Sequence, residues 1–364
     1  MEQCFADGWA NPSSSHSLGL KARKAIDVAR DQVAAFVNAH SSQVIFTCSA
    51  TEANNTVLRS GASAHGKEII TTAAEHSSIL GCCNALKRDG AKIEIVPVLA
   101  SGAIELSSIA SVLSTKTSIV SVIWANNETG VLNPIRDVAR LCRQKGVQFH
   151  CDAVQAAGKV LIDFQEIGAH YLTISSHKIF GPKGAGALII DSDVSLKPLL
   201  VGGNQEDGRR GGTENVPAII GFGKACQLAY EQLDKRCRFV GQLRDKLENG
   251  ILSEIPGTYL NGTGVARIQN TSNIGFSGYD SDTLVELLDQ LGICVSSGSA
   301  CLAESNTPSH VILAMTGSYR KASEAIRFSL SHLNTWEDID RTIDCLKDVT
   351  KRVAKSRKPE NVAR

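Results

Sequence analysis

Along the first half of the chain, short β-branched and apolar runs recur, each followed by a longer stretch in which apolar positions return every three or four residues. Gln43–Thr47, Glu68–Thr71, Ile93–Val96, Ser118–Ile123, Val147–His150 and Tyr171–Ile174 read as strands. Ser78–Arg88, Leu106–Leu113 and Ile135–Gln144 carry helical spacing, with Pro134 suited to a first helical position. Strand and helix in alternation predict a mainly parallel sheet with helices on its faces. Ligands of such sheets sit beyond the carboxyl ends of the strands, so the residues just after each strand are where chemistry is expected.

After Gly203 the pattern changes. The Gly/Arg-rich stretch Gly202–Gly212 leads into a long helical segment from about Val216 to Leu252. Beyond Pro256-Gly257 come a strand-like Asn273–Phe276, a helix near Asp282–Leu291, a Gly/Ser loop and a final helix from Trp336 to about Arg352. The expected organisation is an α/β domain over residues 12–240 and a smaller α+β domain over 241–364 together with 1–11, hinged in the long helix. Six Lys/Arg and one Glu in the last fourteen residues read as a solvated basic tail.

Composition narrows the classes. With 364 residues, 38 Lys+Arg against 37 Asp+Glu and a formal charge of +1, nothing in the bulk charge points to nucleic acid or an anionic membrane. No apolar run approaches the roughly 18 residues of a spanning helix, and Met1–Asp7 lacks the basic and apolar regions of a signal peptide, so a cytoplasmic protein is expected. Eleven cysteines without a C-x-x-C pair leave a zinc site no ligand spacing, and no metal is expected. Buried free cysteine behaves as a small hydrophobe. The open question is whether one of the eleven differs.

Several strand ends carry polar clusters. Thr47–Glu52 places small residues and hydroxyls at a helix start, which suits an anion. Glu75-His76-Ser77-Ser78, Asn126–Gly130, Cys151–Gln155 and Ser175-Ser176-His177-Lys178 end the others. Each alone has an ordinary reading as a cap or a surface residue. Together they suit a planar aromatic ligand with a phosphate, a ring nitrogen kept protonated and a carbonyl that forms an imine. Pyridoxal phosphate is such a ligand: Lys178 fits the Schiff base, and Asp152, one strand earlier, fits the acid opposite the pyridinium.

Ser176-His177-Lys178 followed by Phe180-Gly181-Pro182-Lys183-Gly184 resembles the cofactor-lysine motif of the NifS/IscS-like cysteine desulfurases. These lie within the class V aminotransferase group of fold-type I pyridoxal phosphate enzymes. Asn11–His16, Ala50–Asn55, Asn126–Gly130, Asp152–Gln155 and Gly203–Asn215 resemble the family's other blocks in order, over about residues 9 to 350. The resemblance implies the fold-type I architecture and assigns roles. Lys178 would carry the cofactor, Asp152 would pair with the pyridinium, and Gln155 would bond the phenolic oxygen. His76 would stack on the ring and move protons. Thr51, Ser175 and His177 would hold the phosphate, with Thr213 contributed from a neighbouring subunit of a homodimer, and Ala50 would also contact the cofactor. Asn127 would position the cofactor's imine or the substrate side, Asn11 would contact the substrate, and Arg327 would clamp the substrate carboxylate. Ser296–Cys301 resembles the active-site block of the long-loop group, a Gly/Ser run that predicts a mobile loop and sets Cys301 apart as the sulfur acceptor.

The implied reaction converts L-cysteine to L-alanine and leaves a persulfide on Cys301 for an acceptor protein serving iron–sulfur clusters, tRNA thiolation or DNA phosphorothioation. Two departures stand out. The family has a further block upstream of Asn11, a short strand and an Ala-Ala-Thr-Thr turn, and this chain starts too late to hold it. Leu330-Ser331-His332 stands where the family tends to have Leu-Gly-Arg. Selenocysteine lyase is an alternative that comparing alanine yields from the two substrates would separate. A non-catalytic sulfur-relay or scaffold subunit is another, favoured by the missing block alone.

Overall fold

Seven strands form one sheet ordered β1-β7-β6-β5-β4-β2-β3 in the computed structural model, which describes residues 1–7, 9–63, 68–298 and 308–356. The strands are β1 (Val44–Thr47), β2 (Glu68–Thr72), β3 (Lys92–Val96), β4 (Thr117–Ile123), β5 (Gln148–Asp152), β6 (Tyr171–Ser175) and β7 (Gly186–Ile190). The pairs from β3 through β2, β4 and β5 to β6 are parallel, whereas β7 runs antiparallel to both β6 and β1. The sequence pattern leaves β7 unannounced because Gly181–Gly186 reads as loop. So short a connection from β6 permits only an antiparallel return.

Helices α1 (Glu2–Asp7), α2 (Ser17–Phe36), α3 (Ala50–Ala62), α4 (Ser77–Arg88), α5 (Leu106–Val112), α6 (Ile135–Gln144), α7 (Phe164–Ile167) and α8 (Val216–Glu231) belong to the same unit as this sheet. Ala53, Val57 and Leu58 of α3 join Ile45, Ile69, Ile79, Ile119 and Leu188 in one buried cluster. A Cβ on Gly61 would come within 2.8 Å of Ile119 Cγ2, so glycine lets α3 lie directly on the sheet. That contact sets the depth of the residues α3 carries.

The second unit contains α9 (Leu233–Glu254) from Asp234 on, β8 (Thr258–Leu260), β9 (Thr271–Phe276), α10 (Ser281–Asp289), α11 (His310–Thr316), α12 (Tyr319–Ser323), β10 (Ala325–Ser329) and α13 (Trp336–Ser356). Its antiparallel sheet is ordered β10-β9-β8, and its core gathers Leu243, Leu247, Ile251, Phe276, Leu284, Ile326 and Leu346.

The division differs from the expected 12–240 and 241–364 with 1–11. The long helical segment breaks at Gln232 (φ −111°, ψ 8°), and the second unit starts at Asp234. Residues 1–11 group with the first unit, where α1 packs on α8. Val98–Ala103 and Asn126–Leu132 group with the second. For the latter the reason is backbone pairing, since Leu132 N donates to Ala266 O and Ile268 N to Gly130 O. Among the described residues no helix is long and apolar enough to cross a membrane.

Candidate functional site

In the first unit the parallel strands deliver their chemistry at one edge. Asp152 ends β5 and pairs with Thr173 of β6. Two residues beyond Thr173, Ser175 ends β6, and the tight turn Ser176–Ile179 presents His177 and Lys178, both exposed. Phe180 terminates that turn at φ 67°, a left-handed conformation that costs a bulky residue roughly 1–3 kcal/mol. Such strain persists only where surrounding packing enforces it, here immediately after the lysine.

Asp152 is held through a chain of neutral donors. Asn54 Nδ2 donates to Asp152 Oδ2 at 2.9 Å and also to Ser78 Oγ at 2.9 Å, while Val154 N donates to Asp152 Oδ1 at 3.1 Å. Ser78 N donates to His76 Nδ1 at 3.1 Å, with Ser78 Oγ 2.9 Å from the same nitrogen. A ring nitrogen that accepts the backbone N–H carries no proton, so the His76 proton belongs on Nε2. The line His76–Ser78–Asn54–Asp152 therefore joins the ends of β2 and β5 through α3. Burial pushes the Asp152 carboxyl up, against His76, the Val154 and Asn54 hydrogen bonds and Lys178, all of which pull it down. A cation brought to Asp152 would stabilise its charged form.

The start of α3 lies over the same edge. Thr47 and Ser175 flank Gly186 from its two neighbouring strands. A Cβ on Gly186 would reach to 2.8 Å from the Ser49 carbonyl carbon and 3.0 Å from Ala50 N, so only glycine allows the helix start this close. Ser49 caps α3 by accepting from Glu52 N at 3.2 Å, and Ala50 and Thr51 form the first turn. Ser175 Oγ lies 3.0 Å from His177 Nδ1. Burial, then Lys178 and Lys183, push the His177 pKa down. Arg210 pairs with Glu52 at 2.9 Å, which ties the Gly/Arg stretch to this helix start. Gln155 is half-buried on the turn after β5, and Thr213 is exposed. Asn11 belongs to the turn before α2, its Oδ1 accepting from Ser13 N at 2.9 Å.

Beneath lie buried groups to which the sequence assigns no role. Fully buried His150 bonds Ser121 Oγ (2.8 Å) and Thr173 Oγ1 (3.0 Å), and burial pushes its pKa down to about 3, so it is neutral. Glu75 Oε1 accepts from Thr72 Oγ1 (2.8 Å) and from Ile123 N (3.0 Å), the residue paired with Asp152 across β4 and β5. Burial, with a smaller push from Asp152, raises the Glu75 pKa to about 8. A carboxyl whose folded pKa is raised keeps a proton that the unfolded chain releases, so its stabilising contribution is whole below about pH 4.5 and is lost towards pH 8. The stability of the cofactor-free protein relative to Glu75→Gln should therefore fall as pH rises across that window, by at most about 1.4 kcal/mol per pH unit. Denaturant melts at several pH values measure this, and a flat difference would refute it.

In the second unit, Arg327 of β10 donates from Nη1 to Asn127 O at 3.2 Å, so these two expected substrate residues come together. Asn127 Oδ1 is buried and has no hydrogen-bond partner among the described residues. Cys301 lies outside the described residues. The ten described cysteines form no disulfide, and Cys82, Cys83, Cys142, Cys151 and Cys226 are buried. Asn54, Ser78, Glu75 and Glu128 fall within the quoted strand-end clusters and motifs, but the sequence assigns none of them a role there. A polar Asn54 on the buried face of α3 was the available signal.

The Aminotransferase class-V family matches residues 1–342. A cysteine desulfurase of Sinorhizobium fredii is 42% identical over 357 residues, covering 97% of this chain and 92% of that protein. The cysteine desulfurase NifS of Azotobacter vinelandii is 42% identical over 342 residues, covering 93% and 85% respectively. Among solved structures, a NifS-like protein from Rickettsia africae superimposes with a TM-score of 0.87 at 33% identity, covering 96% of this chain and 94% of that one. The chain belongs to the aminotransferase class-V family and, within it, to the NifS-like cysteine desulfurases.

Proposed function

We infer that this chain is a pyridoxal phosphate-dependent cysteine desulfurase that converts L-cysteine to L-alanine and passes the sulfur, as a Cys301 persulfide, to an acceptor protein. The observation that carries the reading is the buried Asp152, gripped by Asn54 and linked through Ser78 to His76, one strand from Lys178. The residues present fit the cofactor. A buried carboxyl bonded by neutral donors suits a protonated ring nitrogen, an exposed lysine suits covalent attachment, and the glycine-made cradle at Ala50 suits a phosphate.

In this reading Lys178 holds the cofactor, Asp152 takes the hydrogen bond of the ring nitrogen, and Gln155 bonds the phenolic oxygen. Ala50, Thr51, Ser175 and His177 hold the phosphate, with Thr213 of a second copy. When bound, pyridoxal phosphate supplies the sink for the electron pair left at the substrate Cα. Arg327 clamps the substrate carboxylate as a planar two-pronged donor, and Asn127 and Asn11 orient the substrate. The Lys178 amine would move the Cα proton. The Cys301 thiolate would attack the substrate sulfur, forming the S–S bond as the Cβ–S bond breaks; that electron pair stays with the carbon skeleton and, with a proton, becomes the methyl group of alanine. With its proton on Nε2, His76 gives a proton before it can take one from the thiol. The same reading covers pairing of two copies and an acceptor serving iron–sulfur, tRNA or DNA thiolation.

The test is borohydride reduction of the holoenzyme followed by peptide mass mapping, with alanine and sulfide measured from L-cysteine. A pyridoxyl adduct on Lys178 and equal yields of alanine and sulfur are expected. An adduct elsewhere or none, or alanine formed only from selenocysteine, would sink the reading.

A further inference from the structure

Glu128 is fully buried in the second unit and lies beside two residues far from it in the sequence. Ser309 Oγ donates to Glu128 Oε2 at 2.5 Å, and the Cβ position of Gly298 is 3.6 Å from that oxygen and 3.5 Å from Ser309 Cβ. Residues 298 and 309 thus stand side by side at this carboxyl. The chain between them contains Cys301, and 299–307 lie outside the described residues. Gly298 has φ 137°, which a side chain rarely adopts, so the approach depends on glycine.

Both ends are anchored by ordinary groups. Ser309 caps α11 by accepting from Ile312 N at 3.0 Å while its hydroxyl proton goes to Glu128. On the other side Ser296 Oγ donates to Gly298 O at 2.8 Å, and Ser296 and Arg327 exchange backbone bonds at 3.2 and 2.7 Å. The segment Asn127-Glu128 is itself clasped by the small sheet, where Arg327 Nη1 donates to Asn127 O and Asn273 Nδ2 to Glu128 O. Asn273 and Arg327 are direct partners across β9 and β10. His310 Nδ1 lies 3.9 Å from Glu128 Oε1. Burial pushes the Glu128 carboxyl up, while Ser309, His310 and Arg327 pull it down.

We propose that Glu128 is a positioning residue that ties the Gly298 and Ser309 ends together and aims the Arg327 guanidinium for the substrate carboxylate. This rests on the reading that Arg327 binds the carboxylate of cysteine. A carboxylate serves both ends of this arrangement because it accepts from the serine and attracts the guanidinium. A neutral amide of the same shape loses the charge that strengthens the Ser309 bond and attracts the guanidinium.

The test compares holoenzyme Glu128→Gln, Ser309→Ala and the double variant. Amide exchange at Ser296 and Arg327 without substrate is expected to quicken at least tenfold in both single variants. Glu128→Gln should raise KM for L-cysteine about tenfold with kcat for alanine within threefold, at unchanged cofactor absorbance. The double variant should be no worse than Glu128→Gln. Parental exchange at Ser296 in both single variants, additive effects, or a fall in kcat with KM unchanged would overturn the proposal. Should the parent make no alanine from cysteine, the functional reading falls, and the Arg327 half of this proposal with it, while the exchange rates still judge the tie between residues 298 and 309.

Discussion

Asp152→Asn is expected to lower alanine formation by about 10²–10³-fold, the usual cost of removing a charge placed opposite one that the reaction needs. The protein's own contacts make this substitution harsher than its shape suggests. Both carboxyl oxygens accept hydrogen bonds, Oδ2 from Asn54 and Oδ1 from Val154 N. An asparagine has one acceptor oxygen, so its amide must face one of those donors, which costs about 1–3 kcal/mol for an unsatisfied buried group. The variant should therefore hold pyridoxal phosphate more weakly as well as turn over slowly. Its bound-cofactor absorbance should change with pH where the parent's does not, because the ring nitrogen has lost the negative partner that keeps it protonated. Equilibrium dialysis and a spectrophotometric pH titration measure both, and a turnover within tenfold of the parent would remove Asp152 from its role.

Cys301→Ser is expected to abolish persulfide formation and to reduce alanine release by at least about 10³-fold, since a hydroxyl is a far poorer nucleophile towards sulfur. Most described cysteines are poor substitutes. Burial pushes Cys83 and Cys142 up to about 12, and Cys151 and Cys226 well above their ordinary value. A thiol that does not ionise near neutral pH does not attack. Cys48 at the start of α3 is raised as well, first by its burial and then by Glu52. Cys294 is exposed, on the stretch after α10, and Cys294→Ser is the matching control that should keep parental activity. Parental rates of alanine and sulfide release in Cys301→Ser would end the assignment.

How far the fold was legible depends on where each signal resides. The pattern announced β2, β4, β5 and β6 because each is a short run of β-branched and apolar residues set off from helical spacing, and their parallel pairing follows from the alternation. It missed β7, whose Gly-rich approach carries no strand signal, and β10, where Arg327 interrupts the apolar alternation. Val98–Ala103 and Asn126–Leu132 join the second unit through contacts with residues more than a hundred positions away, which no local pattern encodes.

The sequence by itself determined the chemical inventory and its order: a lysine after one strand, an acid at the end of the strand before it, hydroxyls at a helix start, and a cysteine in a Gly/Ser run. Those signals are local, since each needs only a residue type and its distance from a strand end. Tertiary structure alone decided how the inventory is wired. Asn54 reaches Asp152 because Gly61 lets α3 rest on the sheet, Gly186 admits the start of that helix to the strand edge, and Glu75 bonds the residue paired with Asp152. Glu128 likewise meets Ser309 across 181 positions of chain. Such contacts arise from packing between elements far apart in sequence, and burial then sets the ionisation of Glu75, Glu128, His150 and Asp152, a property that spacing cannot carry.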